Sequence, residues 1–327
     1  MLEHGGRLLR AAHQFGIAPE QWLDLSTGVS PWPWPVPPLP ASAWHRLPED
    51  EDGLVEAAQT YYGAAPLLPV AGSQAAIQAL PLLRARGRVG IIAPGYNEHA
   101  HAWRRAGHDV VSAPAGVLQD TVDDFDVLVL IHPNNPGGDR FAPDQLLDLH
   151  ARLARRGGWL VVDEAFIDAT PENSLCVHAG MEGLVVLRSV GKFFGMAGAR
   201  AGFVFAAHDL LAALRDRLGP WTLSGPARWA VRQALADRDW QAQARPRLLA
   251  ASDQLATLLR AHGLPPQGGS AFFQWCVHAD AAALHAALAQ RAILTRLFDT
   301  PVSLRFGLPP DAAGLRRLDI ALGEILK

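Results

Sequence analysis

Between residue 50 and about residue 207 the chain alternates short apolar runs with stretches of helical spacing. RVGIIA (88–93), HDVVSA (108–113), DVLVLIH (126–132), WLVVDE (159–164), GLVVLRS (183–189) and AGFVFA (201–206) read as strands. Ala75–Arg84 and Pro143–Arg155 read as two of the intervening helices. Strands that are apolar along their whole length, separated by helices, predict an α/β domain with a mostly parallel sheet covered on both faces. Sites in such sheets lie beyond the carboxyl ends of the strands. After Leu210 the pattern changes to long Ala- and Leu-rich helices (roughly 226–262), the strand FFQWCVH, the helix AAALHAALAQRA, two short strands and a closing helix. This predicts a smaller α+β domain. The first part is irregular: a short helix in HGGRLLRAAHQFG, then LDLSTGVS, then the run PWPWPVPPLP from Pro31 to Pro40. The expected division is an arm (1–45) packing with the small domain, a large domain (46–210) and a small C-terminal domain (211–327).

A length of 327 residues fits two domains at about 150 residues each. A formal net charge of −3 gives no electrostatic reason to expect nucleic acid or an anionic membrane as partner. Cys176 and Cys276, both in apolar contexts, fit free thiols in a reducing compartment better than a disulfide scaffold. MLEHGGRLLR lacks the apolar core of a signal peptide, and no uncharged apolar run reaches ~18 residues. The expectation is a soluble, cytoplasmic protein. The proline run is either a polyproline II ligand or a packed arm, and its interleaved tryptophans favour the arm.

Candidate chemistry clusters at the strand ends. Lys192, in SVGKFFGMAGARAGF, is the only lysine besides Lys327, whereas 27 residues are arginine. A Schiff base needs a primary amine that can lose its proton, and burial depresses a lysine pKa in a way arginine cannot match. A lysine left by chance in an arginine-favouring chain is the plain alternative. VAGSQAAIQAL places a small-residue turn before a helix, so amides at Gly72, Ser73 and Gln74 could cradle a phosphate. Asn135 follows one strand and Asp163 ends the next, 28 residues on; Lys192 is 29 further, with Ser189 before it and Arg200 after it. A buried acid such as Asp163 should face a cation or a protonated ring nitrogen. Pyridoxal phosphate needs this set: a lysine for the covalent link, a carboxylate for the pyridine nitrogen, an asparagine for O3′, and amides, a serine and an arginine for the phosphate.

With Pro94-Gly95-Tyr96, Asn135-Pro136-Gly137-Gly138, Asp163-Glu164-Ala165-Phe166, Ser189-x-x-Lys192 and Arg200, the chain resembles the fold-type I pyridoxal-phosphate enzymes of the class I/II aminotransferase superfamily. The resemblance implies that Lys192 carries the cofactor, Asp163 pairs its ring nitrogen, Asn135 contacts O3′ and Tyr96 stacks on the ring. It further implies that Gly72, Ser73, Gln74, Ser189 and Arg200 bind its phosphate. No metal is implied, and a homodimer is. The N-terminal HGGRLLRAAHQFGIAPEQWLDLSTGVSPWP resembles the opening of the threonine-phosphate decarboxylase family, a cobalamin-pathway branch of that superfamily. This makes a phosphorylated amino acid the expected substrate, with His4, Gly28, Asn135, Arg296 and Arg305 around it. A histidinol-phosphate-type aminotransferase is the alternative, and a non-catalytic protein on the same fold is disfavoured by the intact Lys192, Asp163 and Asn135. Three positions depart from relatives: Phe166 stands where many have a tyrosine, Gly191 where serine or threonine is common, and Leu47 where a tyrosine often reaches the partner subunit's cofactor.

Overall fold

An extended segment near the chain's start, β1 (Leu23–Asp24), precedes the large sheet of the computed structural model, which describes residues 4–326. The large sheet comprises β2 (Leu67–Val70), β3 (Arg88–Ile92), β4 (Asp109–Ala113), β5 (Val127–Ile131), β6 (Trp159–Asp163), β7 (Leu184–Ser189) and β8 (Gly202–Phe205). Its order is β2-β8-β7-β6-β5-β3-β4, parallel throughout except that β8 runs antiparallel to both neighbours. The six strands expected from the apolar runs are all present. The seventh, β2, carries Pro69, which lacks a ladder donor and is tolerated because β2 is the edge.

Pleating divides each central strand between two cores. Leu128 and Leu130, Leu160 and Val162, and Leu184 and Val186 face one layer of helices. Val127 and Val129, Val161, and Val185 and Leu187 face the other, together with Ala100, Ala102 and Trp103 of the helix Glu98–Arg105. The same alternation decides the site, because it sends Asp163 to one face and its neighbour Glu164 to the other.

Helix His208–Leu218 returns onto the large sheet, where Leu211 and Leu214 pack with Leu68 and Val70. The helical stretch after it is two helices, Gly225–Ala236 and Arg238–Ala261, divided at Asp237, whose carboxylate caps the second through the Trp240 amide at 3.0 Å. The small sheet contains β9 (Gly268–Ser270) and β10 (Phe273–Val277). After β11 (Ile293–Leu294) it is completed by β12 (Arg296–Asp299) and β13 (Val302–Gly307), in the antiparallel order β12-β13-β10-β9. Three strands thus follow the helix Ala281–Gln290, where the sequence pattern predicts two. A one-residue step at Thr295 separates β11, which pairs in parallel with β1, from β12.

The proline-tryptophan run is packed as far as Trp34 and largely exposed from Pro35 to Pro40. Ser30 and Trp34 donate their amides to the carbonyls of Lys192 and Phe194 at 2.9 and 2.8 Å, and the buried Trp34 indole donates to Asp237 at 2.9 Å. The arm therefore braces the turn that carries Lys192. Among the described residues no helix is long and apolar enough to cross a membrane.

Candidate active site

Beyond the carboxyl ends of β5, β6 and β7 lies a cavity lined by Gly72, Ser73, Gln74, Tyr96, Asn135, Asp163, Ser189, Lys192 and Arg200. These are all nine residues expected around the cofactor. Ile131, Ala165 and Phe166 complete its wall.

Lys192 sits in the single helical turn Val190–Phe193 that follows Ser189 at the end of β7. Burial, then the positive charge of Arg305, lowers its pKa to about 8, with Asp163 pulling the other way. Gly191 has a local reason: a Cβ there would come within 3.0 Å of the Ala197 backbone, so a larger residue would push the turn apart. Phe166 is buried with its ring centroid 5.5 Å from Lys192 Nζ.

Asp163 is buried and accepts from two sides. The Ala165 amide donates to Oδ1 at 3.0 Å, and His99 Nε2 lies 2.9 Å from Oδ2. His99 escaped the sequence reading. Its signal was there: three residues after Tyr96 and on the same helical face as the buried Trp103, it is the polar group of an otherwise apolar stripe. Asn135 Oδ1 accepts from Arg305 rather than standing free.

The phosphate-cradle residues converge because glycines permit close approach. Val70 of β2 and Ser189 of β7 both pair with Gly202, where a Cβ would lie 2.9 Å from the Ser73 amide nitrogen. Gly72 has a left-handed φ of 73°, and a Cβ on it would meet the Arg200 guanidinium at 2.6 Å. Arg200 itself holds φ 51°, an uncommon conformation for a residue with a side chain. The first amides of the helix Ser73–Ala79 thus open towards a guanidinium and a serine.

On the opposite side of Lys192 stand the substrate candidates. Arg305 is buried, donates to Asn135 and to the Ser26 carbonyl at 2.8 Å, and leaves Nε without a partner. Burial and the facing Arg296 push its pKa down. Arg296 and Arg305 are directly opposed in the β12–β13 register. Gly28 lies against the aromatic wall, where a Cβ would come within 2.9 Å of both Phe166 and Phe273. His4 reaches the rim of the site, 5.8 Å from the Tyr96 ring, but its Nε2 is 2.8 Å from Glu98 Oε1, a carboxylate that sequence reasoning did not single out.

Behind the cavity, on the other face of the sheet, Arg188 is fully buried between Glu164 (3.1 Å) and Asp168 (2.6 Å). It also donates to Ser174 Oγ at 2.9 Å, and its guanidinium lies 4.6 Å from the Tyr62 ring centroid. Two members of this cluster are next in sequence to site residues: Glu164 to Asp163, Arg188 to Ser189.

The family model for aminotransferase class I and II matches residues 49–318. The threonine-phosphate decarboxylase of Pseudomonas aeruginosa is 58% identical over 322 residues, covering 98% of this chain and 97% of that protein. Among solved structures, the L-threonine-O-3-phosphate decarboxylase from Porphyromonas gingivalis aligns with a TM-score of 0.76 at 20% identity, over 87% of this chain and 92% of its own. The histidinol-phosphate aminotransferase from Sinorhizobium meliloti, in complex with pyridoxal-5'-phosphate, aligns with a TM-score of 0.84 at 18% identity, over 100% of this chain and 98% of its own. The last two likenesses speak to the fold, and the first speaks to descent. A Lys192 cavity on a class I/II fold, with this degree of identity along nearly its whole length, places the chain in the aminotransferase class I and II family and, within it, among the threonine-phosphate decarboxylases.

Proposed function

We propose that the protein is a pyridoxal-phosphate-dependent carboxy-lyase that converts L-threonine O-3-phosphate into (R)-1-aminopropan-2-yl phosphate and CO2, for the aminopropanol arm of cobalamin. The observation that carries the substrate side is the opposed pair Arg296 and Arg305 beside the Lys192 cavity. A buried guanidinium with an unpartnered donor, as in Arg305 Nε, calls for an acceptor, and the substrate brings two anionic groups.

The cavity's donor set suits the cofactor. Lys192 would hold it covalently, Asp163 would face its ring nitrogen, Asn135 its O3′ and Tyr96 its ring face. Ser73 and Gln74 amides, Gly72, Ser189 and Arg200 would hold its phosphate, brought together because Gly72 and Gly202 carry no Cβ to keep Arg200 and the Ser73 amide apart from them. When bound, the cofactor supplies an electron sink for the bond broken at the substrate Cα.

The chain's own groups set which bond that is. Of the opposed pair, Arg305 is the one whose charge acts on Lys192 and whose side chain meets Asn135, so it would hold the carboxylate near the reacting carbon. Arg296, across the register and less buried, would hold the phosphate. Lys192 Nζ, with a pKa near 8, is suited to deliver the proton that replaces CO2 at Cα. Phe166, in the cavity wall, would help keep water from that carbon.

A homodimer in the cytoplasm is part of this reading. Trp44, Leu47 and Trp221 are exposed in the single chain, and Trp221 shares a groove with Pro48. Leu47 offers no hydroxyl to a partner's cofactor. Sedimentation at micromolar concentration tests the dimer.

The test of the reaction is incubation with threonine phosphate in the absence of any keto acid. CO2 and aminopropanol phosphate are expected. Turnover only when a keto acid is added would make the protein an aminotransferase.

A further inference from the structure

The residues His4, Gly5 and Gly6 are tied down at both ends. At one end the Gly6 amide donates to Ser26 Oγ at 2.8 Å, and Gly5 packs so closely on the Ser26 carbonyl that no side chain fits. That carbonyl is the one that accepts from Arg305. At the other end His4 meets Glu98. Glu98 Oε2 in turn accepts from Gln74 at 2.9 Å and Gln78 at 3.2 Å, both on the cradle helix, and Gln74 Oε1 accepts from the Tyr96 hydroxyl at 3.0 Å. The segment therefore runs from the Arg305 side of the cavity to its cofactor side, with Glu98 as the hub of the second anchor.

Nothing in the cofactor's requirements calls for Glu98. Its carboxylate is largely buried, 14% exposed, and begins the helix whose second residue is the His99 that meets Asp163. A buried carboxylate near the mouth of a site for an anionic substrate is unfavourable unless it is engaged by donors. Here three side chains engage it, and one of them is the histidine at the rim. With Glu98 on Nε2, the ring nitrogen left to meet a ligand is Nδ1. A phosphate oxygen can meet Nδ1 while Nε2 keeps its contact with Glu98.

We propose that Glu98 is a positioning residue for substrate selection: it holds the His4–Gly6 strap across the cavity mouth so that His4 meets the phosphate of the incoming substrate. This rests on the phosphorylated-substrate reading above. Glu98 acts through His4, so its removal should be felt in substrate capture rather than in the chemical step.

The variants Glu98→Gln, His4→Ala and the double variant test this in the pyridoxal-phosphate-loaded enzyme. Glutamine keeps the shape and can still accept from Gln74 and Gln78. Glu98→Gln should raise the KM for threonine phosphate about tenfold, the scale of one charge-assisted hydrogen bond, with kcat within about twofold and an unchanged cofactor absorbance. The double variant should be no worse than His4→Ala, because both changes break one contact. Amide hydrogen exchange at Gly6, which can be read without cofactor or substrate, should quicken in Glu98→Gln. Wild-type kinetics and wild-type Gly6 exchange in Glu98→Gln would overturn the proposal. So would a fall in kcat with a changed cofactor spectrum, which would put Glu98 in the cradle instead. If the wild-type enzyme leaves threonine phosphate untouched, the substrate reading fails, and the exchange measurement still decides whether Glu98 holds the strap.

Discussion

Arg296 and Arg305 occupy one cross-strand pair of β12 and β13, and Arg305 reaches the Lys192 cavity through its hydrogen bond to Asn135. Arg305 is anchored by the Asn135 side chain and the Ser26 carbonyl, and its Nε is still unpartnered. In the proposed reading the pair receives the two negative charges of one small molecule.

Truncating either arginine should therefore lower turnover of threonine phosphate by at least ~100-fold, within the ~2–5 kcal/mol cost of breaking a buried charge pair. Arg305→Lys should not rescue, because a point charge cannot serve Asn135, Ser26 and a carboxylate together. Cofactor absorbance should stay as in the wild type for both alanine variants. Steady-state kinetics with threonine phosphate and with threonine check this. Wild-type kinetics in both variants, or equal use of unphosphorylated threonine, would remove the basis for a phosphate-bearing substrate.

Lys192 gives a prediction in pH. Its pKa is lowered from 10.5 to about 8, so the amine loses its proton as pH rises through that value. Only the free amine can capture the cofactor's aldehyde. Reconstitution of the cofactor-free protein should accelerate from neutral to alkaline pH and level off above about 8. The regained absorbance, followed after mixing, measures it; a rate still climbing near the ordinary lysine value would mean that the pocket does not depress Lys192. Borohydride should fix the cofactor to this residue, and Lys192→Ala should lose both trapping and turnover.

Much of this site could be read from the chain because its groups sit at strand ends, where apolar runs stop abruptly at Asp163, Ser189 and the turn before Asn135. A parallel sheet carries such ends to one edge, so residues far apart in sequence become neighbours without any further information. What escaped were contacts between side chains from different elements. His99 and Glu98 lie on a short helix whose orientation depends on how it packs over β3 and β4, and periodicity does not say which strand end it will meet. The edge strand β2 was hidden by its proline. The extra strand in the small domain was hidden because β11 and β12 are parted by a single residue, a step that only their different partners, β1 and β13, make visible.

His99 leads to a third prediction. Its Nε2 holds the Oδ2 of Asp163 while Ala165 holds Oδ1, so the carboxylate has two constraints on its orientation. Removing one should loosen Asp163 without removing its charge. His99→Ala is expected to lower cofactor affinity and kcat by about 10–100-fold, the range seen when an outer partner of a ligating group is lost. Asp163→Asn should cost more than His99→Ala, and the double variant no more than Asp163→Asn alone. Cofactor titration and kcat for the three proteins settle the order.

The buried Arg188 supplies the last prediction, in stability rather than catalysis. Glu164 and Asp168 are each fully buried and share Arg188 as their common cation; Ser174, the Leu175 amide and the Tyr61 hydroxyl satisfy other lone pairs. Taking Arg188 away strands two carboxylates in the interior. Breaking a buried pair in this way costs about 3–5 kcal/mol, whereas removing both partners together costs far less. Arg188→Met should therefore lower the urea midpoint of the cofactor-free protein markedly. Adding Glu164→Gln should recover part of the loss, since one uncompensated charge disappears while Asp168 keeps the Tyr61 hydroxyl. The two residues also flank Ser189 and Asp163 in sequence, so the Arg188→Met protein, where it folds, should bind the cofactor more weakly. If the single variant unfolds at the wild-type urea concentration, the cluster contributes nothing to holding β6 and β7. If Glu164→Gln deepens the loss in the double variant, the amide is costing more than the stranded charge did, and the unpaired-charge argument is wrong for this site.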